Sequence, residues 1–161
     1  MQTLYICRHG IAVPHGTPGV CEEDRPLTPS GEKRMKQIGR GLRKLDITPQ
    51  RIATSPLPRA LRTAEIVAKA LGLEDEIDVT AALTADRTAA EIRAWLEARS
   101  EDELMIVGHN PSLSDLLSLL LTGRERPLLC ELAKGGIAAV AMRTAGTAQL
   151  DWLARPRLLR R

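Results

Sequence analysis

The chain contains no phenylalanine, and Tyr5, Trp95 and Trp152 are its only aromatic residues. A core must therefore be built from Leu, Ile, Val and Ala, and the aromatic platforms that hold single-stranded nucleic acid are excluded. Lectin-like and antibody-like binding faces are excluded on the same ground. No apolar run approaches the roughly 20 residues that cross a bilayer. Nor does a basic segment followed by an apolar stretch open the chain, as a secretory signal would. A soluble cytoplasmic protein with no membrane partner is the expectation. Cysteine is scarce as well: Cys7, Cys21 and Cys130 show neither Cys-x-x-Cys nor zinc-ligand spacing. A cysteine-dependent phosphatase needs arginine six positions after its nucleophile, and here those positions hold Val13, Leu27 and Gly136. Reduced, mostly buried thiols are expected.

What is present is 161 residues, the size of one ordinary domain, of which 43% are apolar. The net charge of +3 has a local source. Arg155, Arg157, Arg160 and Arg161 stand at the end of the chain with no acid among them, and the remainder carries −1. Such an end is either a solvated basic tail or a docking strip for an acidic partner. Neither makes the domain a nucleic-acid binder. The expected organisation is a single domain over residues 1–154, followed by an Arg-rich tail over 155–161.

Apolar runs rich in β-formers predict strands at Thr3–Cys7, Arg51–Ser55, about Ile77–Thr80, and Leu104–Val107. Further strands are expected at about Leu129–Leu132, Ile137–Arg143 and Thr147–Ala154, the last two joined by a turn at Gly146. Between Cys7 and the first helix runs a polar, Pro- and Gly-bearing loop reaching about Pro26. Thr28-Pro29 supplies an N-cap and a proline at the first helical position, and Met35, Ile38, Leu42 and Leu45 keep helical spacing after it. Ser55-Pro56 opens a second helix, with Leu57, Leu61, Ala64, Val67 and Leu71 on one side and Gly72 as its stop. Thr88 and Glu91 form a capping box for a third, whose Ile92, Trp95 and Leu96 face inward. A Leu-rich helix follows Gly108-His109-Asn110-Pro111 and ends at Gly123. Strands alternating with helices at short connections imply an α/β sheet covered on both faces.

The chemistry gathers at one edge of that sheet. His9 and His109 each lie just past the C-terminal end of a predicted strand, which is where ligands bind in open α/β sheets. Gly10 and Gly108 beside them allow close backbone approach or unusual dihedral angles. Arg8 adjoins His9, and Arg59 falls in the first turn of the second helix, where a cation is disfavoured unless it shares an anion with the helix end. Asn110 brings a further helix N-terminus to His109 and joins the candidate contacts. Two guanidiniums, two imidazoles and helix N-termini suit a compact dianion, and phosphate is the natural candidate. No Gly-rich loop ending in Lys-Ser/Thr and no metal-ligand spacing is present. A neutral histidine attacking phosphorus in line, followed by hydrolysis of the phosphohistidine, is a complete route from the residues available.

Arg8-His9-Gly10, Arg25-Pro26-Leu27-Thr28-Pro29-Ser30-Gly31, Ser55-Pro56-Leu57-Pro58-Arg59-Ala60 running on to Thr63-Ala64-Glu65, and Gly108-His109-Asn110 follow in order over about residues 3–123. Together they resemble the histidine phosphatase, or phosphoglycerate mutase-like, superfamily. The short length, the Arg-Pro-Leu-Thr run and Gly135-Gly136-Ile137-Ala138-Ala139-Val140 look most like the SixA phosphohistidine phosphatases. The resemblance implies a three-layer α/β/α sandwich with a mostly parallel central sheet, and an enzyme using neither metal nor organic cofactor. It also implies His9 as the nucleophile, with Arg8, Arg59 and His109 holding phosphoryl oxygens and Arg25 as a third guanidinium at the rim.

Two departures stand out. Arg62 occupies a position where the family often has Gln, which adds positive potential near the pocket mouth. The segment Ala81-Ala82-Leu83-Thr84-Ala85-Asp86 lacks the Glu that mutases and many phosphomonoesterases use as general acid. SixA-like proteins lack it too, and an N-phosphoryl imidazole needs less help to leave than an alkoxide. If an acid is used, Glu22 and Asp86 are the candidates, while His15 is expected in solvent. The leading expectation is a phosphatase acting on phosphohistidine in a signalling or carrier protein. A phosphatase of small phosphate esters and a non-catalytic phosphate-binding module are the alternatives. A mutase is disfavoured by the missing Glu and the short chain. Activity should fall in acid as His9 takes up a proton.

Overall fold

The computed structural model describes residues 1–125, 130–143 and 147–160. Six strands form one sheet: β1 (Thr3–Arg8), β2 (Arg51–Thr54), β3 (Ile77–Val79), β4 (Glu103–Gly108), β5 (Ile137–Met142) and β6 (Ala148–Ala154). Their spatial order is β3-β2-β4-β1-β5-β6. β3, β2, β4 and β1 pair in parallel, and β5 and β6 extend the sheet by antiparallel pairing.

Alternation along the strands explains the layers. In β1, Tyr5 and Cys7 point into one apolar cluster, while Leu4 and Ile6 point into the other. Met105 and Val107 of β4 join the first, and Leu104 and Ile106 the second. The first cluster is closed by α1 (Pro29–Lys44) and α2 (Pro58–Leu71), the second by α3 (Ala89–Glu97) and α4 (Ser112–Thr122). A sheet buried on both faces needs apolar residues at every central position, and Leu4, Ile6, Cys7 and Leu104–Val107 are indeed fully buried. The architecture is the expected three-layer α/β/α sandwich.

Local chemistry sets the helix ends. The Thr28 hydroxyl accepts the Gly31 N–H at 3.0 Å, and Pro29 opens α1. Thr88 and Glu91 form the reciprocal capping box of α3. Gly72 and Gly123 end α2 and α4 with left-handed backbone. Leu45, by contrast, caps the end of α1 and is exposed. Trp95 is half-buried, with the Arg99 guanidinium 4.9 Å over its ring.

Several boundaries differ from expectation, for physical reasons. α2 begins at Pro58, not at Ser55-Pro56, because the Ser55 hydroxyl accepts the Leu57 N–H at 3.3 Å and also bonds His109. Residues 130–132 do not form a strand. The Leu132 carbonyl accepts from Arg8 and Asn110, and its N–H donates to the Ser114 hydroxyl at 3.1 Å, so side chains replace the ladder. Cys130 is therefore half-buried in an irregular segment. Leu129 and Gly146, with the expected turn at the latter, lie outside the described residues.

The Arg-rich end does not leave the domain. Pro156–Leu159 forms a short helix, α5, and Leu159 is buried in the first cluster while Arg155, Arg157 and Arg160 stay exposed. Arg161 lies outside the described residues.

Candidate active site

The parallel register builds the site. β1 and β4 are neighbours with Arg8 opposite Gly108, so the next residues, His9 and His109, leave the sheet side by side. The His9 N–H donates to the Gly108 carbonyl at 3.0 Å, and the two imidazole centroids are 5.2 Å apart. Both rings are buried, at 5% and 3% exposure. β2 flanks β4 on its other side, and the Ser55 N–H donates to the Val107 carbonyl, which brings Ser55 and the start of α2 to the same edge. Arg59, 3% exposed, thus enters from the first turn of α2.

One hydrogen bond fixes the tautomer of His9. Its Nδ1 lies 2.7 Å from the Gly10 carbonyl oxygen, which can only accept. Nδ1 therefore carries the proton, and in the neutral ring Nε2 bears the lone pair. The Gly10 N–H in turn donates to the Thr63 hydroxyl at 3.0 Å, and that hydroxyl donates to the Arg59 carbonyl at 2.7 Å. Thr63 thereby ties the loop holding His9 to the helix holding Arg59. Neither Gly10 nor Gly108 has left-handed backbone; at Gly10 the requirement is close approach, since a Cβ would lie 2.8 Å from Cγ of Met35.

The two arginines are held differently. Arg8 Nη1 donates to the Leu132 carbonyl at 2.7 Å and to Glu131 at 3.0 Å. Arg59 Nη1 donates to the Glu22 carbonyl at 2.9 Å, with its Nη2 3.6 Å from the Glu22 carboxylate. That carboxylate chiefly serves Arg25, which donates from Nε at 2.9 Å and Nη2 at 2.5 Å and also reaches the Val13 carbonyl. His15 lies 2.6 Å away on the outer side, itself in solvent as expected. Arg25 and His15 hold the Glu22 carboxyl down to about 2, so it is ionised and accepts. Asp86 is exposed, lowered by Thr84 and its own backbone with Arg87 nearby, and it is not among the groups that shift His9 or His109. Arg62 is matched by Glu32 at 2.7 Å and Glu65 at 2.9 Å, which cancels the extra positive potential expected of it.

Burial dominates the electrostatics. Desolvation lowers His9 to about 4, with Arg59, Arg8 and Lys134 adding repulsion against the Gly10 hydrogen bond. Desolvation, then His9 and the arginines, lower His109 to about 3. Both rings are neutral at pH 7. Among the described residues, the buried side-chain nitrogen and oxygen atoms with no hydrogen-bond partner are Arg8 Nε, Arg59 Nε, His109 Nδ1 and Asn110 Oδ1. All belong to this site. Asn110 spends its amide donor on the Leu132 carbonyl at 3.2 Å. Among the described residues no group of three or more His, Cys, Asp or Glu comes together as a metal cage.

His9, His109, Arg8 and Arg59 are thus gathered as the sequence predicts, with Arg25 and Glu22 at the rim. Sequence reasoning missed Ser55 as the partner of His109 and Thr63 as the brace, although both fall inside the motifs quoted above. It also missed the Leu132 carbonyl and Lys134, for which the only signal is the following glycine pair.

An edge of an α/β sheet carrying two buried neutral imidazoles, the buried guanidinium of Arg59 and the half-buried one of Arg8 defines a phosphoryl-transfer enzyme by its fold and site. The chain belongs to the histidine phosphatase superfamily (branch 1), whose model matches residues 4–84. It is 37% identical to an uncharacterized protein of Picosynechococcus over 137 residues, 83% of this chain and 81% of that protein. It is 26% identical to the phosphohistidine phosphatase SixA of Escherichia coli over 156 residues, 95% and 93% of the two chains. A structure of the protein histidine phosphatase SixA complexed with tungstate superposes with a TM-score of 0.82 at 25% identity, covering 98% of this chain and 99% of that one. This chain is accordingly a phosphatase of the superfamily and similar to SixA from end to end.

Proposed function

We propose that the protein removes the phosphoryl group from phosphohistidine in another protein, through a phosphohistidine formed on its own His9. His9 Nε2 attacks phosphorus in line. The bond from phosphorus to the substrate imidazole nitrogen breaks, that nitrogen takes up a proton, and the phosphoryl group is carried on Nε2. Water then attacks phosphorus on the side away from Nε2 and gives up a proton to the solvent, the bond from phosphorus to Nε2 breaks with its electron pair returning to the ring, and inorganic phosphate leaves neutral His9.

The observation that carries this reading is the Nδ1 hydrogen bond to the Gly10 carbonyl, which leaves Nε2 as the nucleophilic nitrogen of a buried, neutral ring. The unpartnered donors of Arg8 and Arg59 supply what the equatorial oxygens need. The Ser55 hydroxyl accepts the Leu57 N–H and has its own proton to give to His109 Nε2 at 2.9 Å, which would place the His109 proton on the unpartnered Nδ1. Glu22, ionised and held by Arg25, acts as a counterion and not as a proton donor. With Glu22 ionised and so unable to protonate a leaving group, the site suits an imidazole leaving group better than an alkoxide. The similarity to SixA over the full chain supports the same substrate class.

The test is an assay in EDTA against a phosphohistidine-bearing protein and a panel of small phosphate esters, each beside His9→Ala. Turnover of the phosphoprotein that the substitution abolishes is expected. Turnover of an ester with none on phosphohistidine would move the substrate, and phosphate binding with no turnover of either would overturn the enzymatic reading.

A further inference from the structure

An open groove of about 420 Å³ lies beside the site, lined by Ile11, Arg34, Lys134, Arg155, Arg157 and Arg160 together with Ala133 and Pro156. Five of those residues are cations and none is an acid. All five cations are exposed, and among the described residues none of them makes an ion pair. Glu131, three residues before Lys134 in the sequence, is paired with Arg8 at 3.0 Å.

The groove is continuous with the catalytic edge. Ile11 follows His9-Gly10, and Lys134 is close enough to help depress the His9 pKa. The Gly135 N–H donates to the carbonyls of both Arg8 and His9 at 3.0 Å. A Cβ on Gly135 would lie 3.7 Å from Cγ of Pro156, so the same turn touches α5. The burial of Leu159 against α1 then fixes Arg155, Arg157 and Arg160 as the far wall: a Cβ on Gly41 would strike the Leu159 carbonyl at 1.7 Å. The basic end of the chain is thereby built into the rim of the site.

We propose that this groove docks an acidic segment of the phosphorylated protein, one running alongside the residue that presents its phosphoryl group to His9. The choice of partner rests on the proposed function above, while the charge complementarity stands independently of it. Five cations without carboxylate partners hold an uncompensated positive field that an acidic chain neutralises. The groove has no aromatic side chain, so it offers nothing on which the bases of a nucleic acid would stack. The groove reads the sequence around the phosphoryl group, while the buried pocket reads the phosphoryl group itself.

The test uses two synthetic phosphohistidine peptides, identical except that the acidic residues flanking the histidine in one are Asn and Gln in the other. The enzyme is compared with the triple variant Arg34→Ser, Arg157→Ser, Arg160→Ser. Binding of the unphosphorylated acidic peptide and of a single-stranded RNA of equal charge is followed by fluorescence anisotropy. For the unaltered enzyme, the acidic peptide should have a KM about tenfold lower, and the preference should collapse near 0.5 M salt. The triple variant should lose the preference while its turnover of p-nitrophenyl phosphate is unchanged. Equal KM for the two peptides, a preference surviving in the variant, or tighter binding of the RNA would each overturn the proposal. If no phosphohistidine peptide is turned over, the substrate reading fails, and binding of the acidic peptide that the triple variant abolishes still upholds the groove.

Discussion

In the proposed mechanism, the pH dependence of the first chemical step follows from the burial of His9. Free imidazole takes up a proton near 6.5, and here desolvation with the surrounding cations brings that to about 4. The difference corresponds to about 3 kcal/mol against the imidazolium. At pH 5.5 an ordinary histidine would be about 9% neutral, whereas His9 should be about 97% neutral, a tenfold difference in competent enzyme. The acid limb of kcat/KM, which reports the free enzyme, should therefore turn near pH 4. Substrate phosphoryl titration near about pH 6 is followed by phosphorus NMR and divided out. An inflection near pH 6.5, with the fold intact by circular dichroism, would refute the reasoning, because it would mean that water reaches the ring. Stability moves with the same groups. Both histidine pKa values are depressed in the folded state, so their contribution is fully present above about pH 6.5 and lost as pH falls through about 4 and 3. The urea midpoint should drop across that window.

Thr63→Val should lower stability by about 1–3 kcal/mol, because it strands the buried Gly10 N–H, and it should lower kcat by loosening the carbonyl that orients His9; urea titration and kinetics beside Thr63→Ser check both. Glu22→Gln should tighten inorganic phosphate binding several-fold by calorimetry, because it releases Arg25 and weakens a competitor for Arg59; a collapse of kcat confined to poor leaving groups would instead make Glu22 a general acid. Gly41→Ala puts a Cβ into the Leu159 carbonyl and should displace α5, costing about 2 kcal/mol and unwinding the helical backbone so that trypsin cuts after the already exposed Arg157. Arg59→Met should cut kcat/KM by about 100-fold or more while leaving the phosphate-free protein about as stable as before, by kinetics and thermal melting. A loss as large as a core cavity makes would contradict that last expectation.

How far the sequence reaches depends on whether a residue's role is local. The central strands are legible because Leu104–Val107 and Thr3–Cys7 carry apolar residues at every position, as burial on two faces demands. Caps at Thr28 and Thr88 are legible because their partners lie three residues on. The pairing of His9 with His109 is legible only through a rule about sheet edges, since it rests on β1 and β4 being neighbours about a hundred residues apart. Residues 130–132 defeat pattern reading. Leu132 is fully buried and looks like a strand residue, but its backbone partners are Arg8, Asn110 and Ser114, all distant in sequence. The fate of the basic end was open for the same reason. Its helix is decided by a groove beside Gly41 that exists only once α1 is in place.

The unpartnered atoms explain why this edge and no other is the site. A buried polar group without a partner costs about 1–3 kcal/mol, against a total stability of about 5–15 kcal/mol for a domain. Four such atoms at Arg8, Arg59, His109 and Asn110 are therefore a large fraction of what holds the chain folded. Their immediate neighbours are satisfied: Thr63 bonds both above and below itself, and Ser55 serves both a backbone N–H and a ring nitrogen. A sequence selected for stability alone would replace Arg59 by an apolar residue of similar length, since α2 already buries Ala60, Thr63 and Ala64 beside it. A buried guanidinium with Nε free is poised for an acceptor that another molecule supplies. Two of the four atoms, Nε of Arg8 and of Arg59, are cationic donors, which suit a molecule that brings anionic oxygens. In the proposed mechanism the ring that reacts with it is the one whose proton the Gly10 carbonyl has already placed on Nδ1.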